Sequence, residues 1–169
     1  MTTDTDSLVL QLGRLIAERE IRIAVAESCT GGMLCGAITS NPEVSSSLER
    51  GFVVYSPDAK CEMLGLDKQK VEACDGVSDE VAEDMAKAAL DRSRASIAIA
   101  TTGFAGPQEN DEEVGLVHLA IAMGDGTIVH REEHFGDQGR EKVCEQTVQA
   151  ALQFLINTLK GRADTRVSS

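Results

Sequence analysis

The chain has no tryptophan, one tyrosine and four phenylalanines among its 169 residues. Its core must therefore come from Ala, Val, Ile and Leu, a composition suited to alanine-rich helices packed closely on a sheet. Disulfide pairing is not signalled either: Cys29, Cys35, Cys61, Cys74 and Cys144 are an odd number and contain no C-x-x-C pair. No apolar run approaches the ~18 residues that a membrane span requires. The opening Met1-Thr2-Thr3-Asp4-Thr5-Asp6 is polar and acidic, unlike a secretory leader. A cytoplasmic protein with reduced thiols and no membrane partner is expected. Basic residues are scarce, 16 against 28 acidic ones, for a net charge of −12. Arg92 and Arg94 close a helix and form no basic patch, so nucleic acid is excluded as a partner. Three familiar signatures are missing as well: the G-x-S-x-G elbow, the G-x-x-x-x-G-K-[ST] loop and the G-x-G-x-x-G fingerprint.

Hydrophobic residues make up 42% of the chain, enough for a folded domain. No Pro/Ser/Gly-rich linker divides it, so residues 1–169 are expected to form one domain, with a disordered tail over 162–169. Leu8, Leu12, Leu15 and Ile16 follow helical spacing and predict a helix over roughly 6–19. Ile21 to Ala26 reads as a strand, followed by a helix from Met33 to Thr39. Gly51 to Tyr55 reads as a second strand. Ser56-Pro57-Asp58 then starts a helix ending at Gly65, since a capping hydroxyl precedes proline at the first helical position. A short helix around 68–74 and a longer one from Ser78 to about Arg92 follow. Ile97 to Ala100 predicts a central strand. Val114–Met123 and Thr127–Phe135 are strands joined at Gly124-Asp125-Gly126. Val148, Leu152, Leu155 and Leu159 mark a last helix ending at Gly161. The alternation predicts a three-layer α/β/α sandwich with a mixed, mostly parallel sheet, in which ligands gather at the carboxyl ends of parallel strands.

Ser28, Tyr55 and Thr101-Thr102-Gly103 all fall at such ends. The turn Ala26-Glu27-Ser28-Cys29-Thr30-Gly31-Gly32 places a hydroxyl and free N–H groups at the start of a helix, an arrangement suited to an anion or a developing oxyanion. An ordinary βα turn, with Thr30 as cap and glycines easing close packing, explains this segment equally well. Lys60, early in the helix capped by Ser56, reads alone as a solvated surface lysine. Together with Ser28 and Tyr55 it suggests serine activation by a lysine base, with tyrosine relaying or orienting the proton. Cys29 is a competing nucleophile. His130, Glu132 and His134 alternate along one strand; a solvated polar face accounts for them better than a metal site. The acidic run from Glu109 to Glu113 reads as a solvated loop tip.

The segments Ala26–Gly32, Val54-Tyr55-Ser56 with Lys60, Gly76–Ala82, Thr102-Gly103-Phe104-Ala105-Gly106-Pro107, and Phe135-Gly136-Asp137 with Arg140 together resemble the CinA C-terminal domain family. The likeness runs in order over roughly 6–160. It implies a deamidase of nicotinamide mononucleotide that needs no metal or other cofactor and acts on a small-molecule nucleotide. It further implies Ser28 as nucleophile, with Lys60 and Tyr55 assisting proton transfer. Backbone groups of Thr30, Gly31 and Gly32 would face the substrate, Thr102 and Gly103 would line the opposite wall, and Arg140 would hold the phosphate. The chain departs from the family pattern after Gly-Pro, where Gln108 to Glu113 replaces a glycine-rich loop, and at Cys144, where a second arginine is expected. The resemblance is to the stand-alone form, without the metal-dependent nucleotide-hydrolase domain of longer relatives. A homo-oligomer is also expected, since small α/β domains often bury sheet edges by association.

Overall fold

The structure, a computed structural model, describes residues 3–17 and 19–167, with side chains described as far as Gly161. In chain order the elements are α1 (Thr3–Ala17), β1 (Ile23–Glu27), α2 (Met33–Thr39), α3 (Pro42–Ser45), β2 (Leu48–Val53) and α4 (Pro57–Leu64). They continue with α5 (Lys68–Ala73), α6 (Asp79–Asp91), β3 (Ile97–Gly103), β4 (Leu116–Met123), β5 (Ile128–His134) and α7 (Arg140–Val167). One sheet runs in the order β2-β1-β3-β4-β5. β1 pairs in parallel with both β2 and β3, while the β3–β4 and β4–β5 pairs are antiparallel. Four of the five strands thus point one way and β4 alone runs against them. This is the α/β sandwich with a mixed sheet that the alternation predicts.

The two faces of the sheet are written into its central strands as a large–small alternation. Ile23, Val25, Ile97, Ile99, Leu119, Ile121 and Met123 face α1, α2, α3 and α7. Ala24, Ala26, Ala98, Ala100, Ala120 and Ala122 face α4, α5 and α6. Register keeps these rows intact: Ala26 lies beside Ala100, which lies beside Ala120, and Val25 beside Ile99 beside Ile121. A face of methyl groups allows α6 to settle close to the backbone through Val81, Ala82, Met85, Ala86 and Ala89. The branched face instead fills the wider gap to α1 and α7, with Leu12, Leu152 and Leu155 fully buried there. The scarcity of aromatics is thereby explained, since neither gap calls for a large ring.

Several element bounds differ from the sequence reading, three of them at the site or the chain end. The second strand is Leu48–Val53 rather than 51–55, because pairing with β1 (Ile23↔Leu48 to Glu27↔Val53) sets its extent more strongly than apolar composition does. Tyr55 accordingly sits two residues beyond the strand. β3 continues to Gly103, carried by antiparallel pairing of Thr101, Thr102 and Gly103 with β4. The last helix continues past Gly161 to Val167, where a helical glycine is tolerated; residues 168–169 of the expected disordered tail lie outside the described residues. The hairpin at 124–126 forms as read, closed by the Gly126 N–H bonding to Met123 O at 2.9 Å.

Candidate active site

The carboxyl ends of β1, β2 and β3 meet at one edge of the sheet, and the Ser28 turn rises from the first of them. The Ser28 N–H donates to Thr101 O at 2.9 Å, and the Gly31 N–H returns to Ser28 O at 3.0 Å. Gly32 then opens α2 with φ +101°, a conformation that a side chain would strain. Glu27, one residue before the serine, is fully buried. Its carboxylate accepts from the N–H groups of Gly32 (3.0 Å), Leu34 (3.0 Å) and Cys35 (2.8 Å). The positive end of α2 is therefore occupied by the chain's own anion. This corrects two expectations. Thr30 does not cap the helix; its hydroxyl is buried and bonded to the Thr101 hydroxyl at 2.9 Å. The amides of Gly31 and Gly32 are also spent inside the turn. Cys29 and Thr30 are the residues of this turn whose N–H groups bond neither to a backbone acceptor nor to the Glu27 carboxylate among the described residues.

Glu27 was legible only as a charged residue ending an apolar strand. Its replacement by alanine leaves three donors, one buried and two half-buried, without this acceptor. Glu27→Ala should lower unfolding stability by about 3–5 kcal/mol, and Glu27→Gln, which keeps one acceptor oxygen, by less. Urea denaturation followed by circular dichroism measures both.

Lys60 is the largest fully buried side chain of the molecule, 2% exposed, and its Nζ donates to Ser28 Oγ at 3.0 Å. The surface-lysine reading does not hold. Ser56 places it: the serine hydroxyl accepts from the Ala59 N–H at 3.1 Å, and Pro57 opens α4 so that Lys60 falls in its first turn. Among the described residues no carboxylate pairs with Lys60, and burial lowers its pKa below the usual lysine value. Gly76, at φ +72°, closes the other side, since a Cβ there would come within 2.8 Å of Nζ. Thr102, fully buried, donates its hydroxyl to Gly76 O at 2.7 Å and so fixes this turn from behind.

The remaining predicted residues separate into two groups. Ser28, Lys60, Tyr55, Gly103 and Arg140 all line one cavity of about 340 Å³. Thr30, Gly31, Gly32 and Thr102 are not part of its lining. Tyr55 does not stand between Ser28 and Lys60. It is 57% exposed at the mouth, and its hydroxyl accepts from Arg140 Nη1 at 2.8 Å. Cys29 lines the cavity, but burial, followed by the neighbouring Cys144, pushes its thiol up to about 12, which leaves little thiolate near neutrality. Cys144 donates its thiol to Cys29 O at 3.2 Å beneath the turn, so no second cation stands there. Sequence reasoning missed Asp75, Val77, Phe104, Glu109 and Glu112 on the cavity wall. Their signal was positional: the 74–77 and 104–113 loops follow α5 and β3, next to the same sheet edge.

On β5, His130, Glu132 and His134 alternate as read, and β4 adds the buried His118, which was missed. His118 Nδ1 lies 3.0 Å from His130 Nε2 with the rings stacked. His134 bonds to both Glu113 and Glu132 at 2.7 Å. Among the described residues no group of His, Cys, Asp and Glu is arranged to hold a metal ion. The His134–Glu113 contact ties the sheet edge to the loop that walls the cavity. Among the described residues, too, no helix is long and apolar enough to cross a membrane.

Comparisons with known proteins bear on the family and the fold. A model of the CinA C-terminal domain matches residues 5–159. A CinA-like protein of Chlorobium limicola is 40% identical over 163 residues, which covers 91% of this chain and 38% of that protein. A CinA-like protein of Chlorobaculum tepidum is 40% identical over 153 residues, covering 86% and 36%. The chain thus spans less than two-fifths of the curated relatives it matches. Among solved structures, the competence/damage inducible protein CihA of Agrobacterium tumefaciens superposes with a TM-score of 0.88 at 39% identity, over 95% of this chain and 98% of that one. A CinA superfamily protein of Klebsiella pneumoniae gives 0.86 at 29% identity, over 93% and 98%. Nearly the whole chain matches, in sequence and in fold, and it belongs to the CinA C-terminal domain family.

Proposed function

We propose that this domain hydrolyses the carboxamide of nicotinamide mononucleotide to a carboxylate and ammonia, with Ser28 as nucleophile and Lys60 as its base. The observation that carries the reading is the buried Lys60 Nζ, 3.0 Å from Ser28 Oγ and without a carboxylate partner. A lysine so placed is neutral over a wider pH range than in water and can accept the serine proton. Ser28 Oγ attacks the carboxamide carbon as its proton passes to Nζ. The oxyanion that forms would be held by the N–H of Cys29, which lines the cavity beside Ser28. As the C–N bond breaks, Lys60 returns the proton to the leaving nitrogen and ammonia departs. Water, deprotonated by the same amine, then attacks the ester and releases the acid.

Tyr55 and Arg140 take a binding role in this scheme. Their 2.8 Å pair stands at the cavity mouth, where a phosphate on the substrate would accept from the guanidinium. Arg140→Ala should raise KM about ten-fold or more with a small change in kcat. Tyr55→Phe should show a milder form of the same pattern, because the hydroxyl steadies the arginine rather than the serine. Steady-state kinetics on the nucleotide separates the two parameters.

The deciding assay is ammonia release from nicotinamide mononucleotide compared with free nicotinamide. Release from the nucleotide alone supports the reading. Release from the free amide at a similar rate would assign the domain to another small carboxamide, and binding without release would make it a nucleotide-binding module. A homo-oligomer belongs to the same proposal: β2 is an edge strand, and Val53 and Met33 beside it are 46% and 44% exposed. Light scattering measures it.

A further inference from the structure

We propose that Asp75 and Glu109 form an acidic wall selecting a cationic pyridinium ring over its neutral counterparts, an inference resting on the amidase reading above. The cavity carries an unusual balance of charge for a site that takes a phosphorylated ligand. Arg140 is its one arginine, and Lys60 is buried with a lowered pKa, while Asp75, Glu109 and Glu112 are all on the wall. Glu112 serves the loop itself. Its carboxylate accepts from the N–H groups of Glu109 and Asn110, which keeps it ionised. Asp75 is different: it is an exposed residue of the cavity lining, and its carboxylate makes no hydrogen bond or ion pair among the described residues.

Asp75 is placed by the same turn that closes over Lys60. Its φ is +50° and that of Gly76 is +72°, so two consecutive left-handed residues turn the chain between α5 and α6. Gly76 packs on the Lys60 amine and Asp75 beside it is on the wall of the cavity that holds Ser28. A purely anionic ligand would gain at Arg140 and lose against this wall. A ligand with an anionic group at one end and a cation at the other gains at both. In nicotinamide mononucleotide the ring bearing the carboxamide is a permanent cation, because its nitrogen is bonded to ribose. The reduced nucleotide has the same carboxamide, ribose and phosphate on an uncharged ring, and free nicotinamide is neutral near pH 7. The wall would also repel the carboxylate of the product and favour its departure.

The test is equilibrium binding of oxidised and chemically reduced nicotinamide mononucleotide, by calorimetry, to the Ser28→Ala protein, which cannot consume either. The oxidised form should bind about ten-fold tighter at low salt, and the preference should shrink as salt is added. Adding Asp75→Asn and Glu109→Gln should bring the two affinities to within about two- to three-fold, chiefly by weakening the oxidised form. Asp75→Gly, which suits the left-handed backbone and removes the charge, is the companion variant and should act in the same direction. An oxidised-to-reduced ratio near one in the Ser28→Ala protein, or a ratio unchanged by neutralising both acids, overturns the proposal. Its failure is distinct from that of the hydrolysis reading, which is judged on ammonia release by the unsubstituted protein. Hydrolysis with an unchanged ratio removes the wall alone, and a charge-dependent ratio without hydrolysis removes the amidase alone.

Discussion

Ser28→Ala should reduce ammonia release from nicotinamide mononucleotide by on the order of 10³-fold or more, while the protein stays folded with stability lowered by about 1–3 kcal/mol for the hydrogen bond that Lys60 loses. The hydroxyl is the one group on the cavity wall that a buried amine contacts directly. Serine and alanine differ there by a single oxygen. The turn around it is held by groups the substitution leaves alone: the Ser28 N–H on Thr101 O, and the Glu27 carboxylate on α2. A loss of turnover together with a stability loss well beyond that of one buried hydrogen bond would point to collapse of the turn instead. Near-normal turnover in a folded variant would remove Ser28 as nucleophile. Cys29 would be a poor substitute with its thiol raised to about 12, so a directly activated water would then be the leading alternative.

Lys60→Met should have a comparable effect on rate and the opposite effect on stability. Methionine keeps most of the apolar stem of the side chain and removes the amine proposed to accept the serine proton, so turnover should fall on the order of 10²–10⁴-fold. In the proposed mechanism the base form is the active one, and burial lowers the Lys60 pKa. Activity should therefore rise with pH and level off below the pH at which a free lysine titrates. The linkage has a definite sign. Between the lowered folded pKa and the unfolded value of about 10.4, the unfolded chain binds more protons, so stability increases with pH across that window. Below the folded pKa the full cost of burying a cation is present. Lys60→Met should accordingly be more stable than the parent at neutral pH, by roughly 1–2 kcal/mol, with the advantage fading as the pH approaches about 10. Denaturation curves at several pH values test it. A lysine that merely stabilises the fold would give a less stable methionine variant at every pH.

The sheet could be read from the chain because its information is local. Ile97-Ala98-Ile99-Ala100 and Leu119-Ala120-Ile121-Ala122 state both the strand period and the two unequal faces, and turn chemistry at Ser56-Pro57 and Gly124-Asp125-Gly126 marks where elements begin and end. The least accurate strand, β2, was misplaced for the complementary reason. Its residues Leu48–Val53 have no clean alternation, and its extent follows from hydrogen bonds to β1. The residues that line the cavity were partly legible as strand-end positions: Ser28, Gly103 and, just past β2, Tyr55.

What the sequence by itself determined was the class of fold, the family and the membership of Ser28, Tyr55, Lys60 and Arg140 in one neighbourhood. Roles within that neighbourhood were decided by tertiary structure alone. Lys60 contacts Ser28 32 residues away, and Arg140 rather than Lys60 claims Tyr55 across 85 residues. Glu27 takes the helix amides that a substrate anion was expected to use, and Thr102 turns from the cavity to hold Gly76. A hydrogen bond depends on a few tenths of an ångström and on direction. Sequence spacing specifies neither between separate elements, since both arise only when the sheet and its helices have packed.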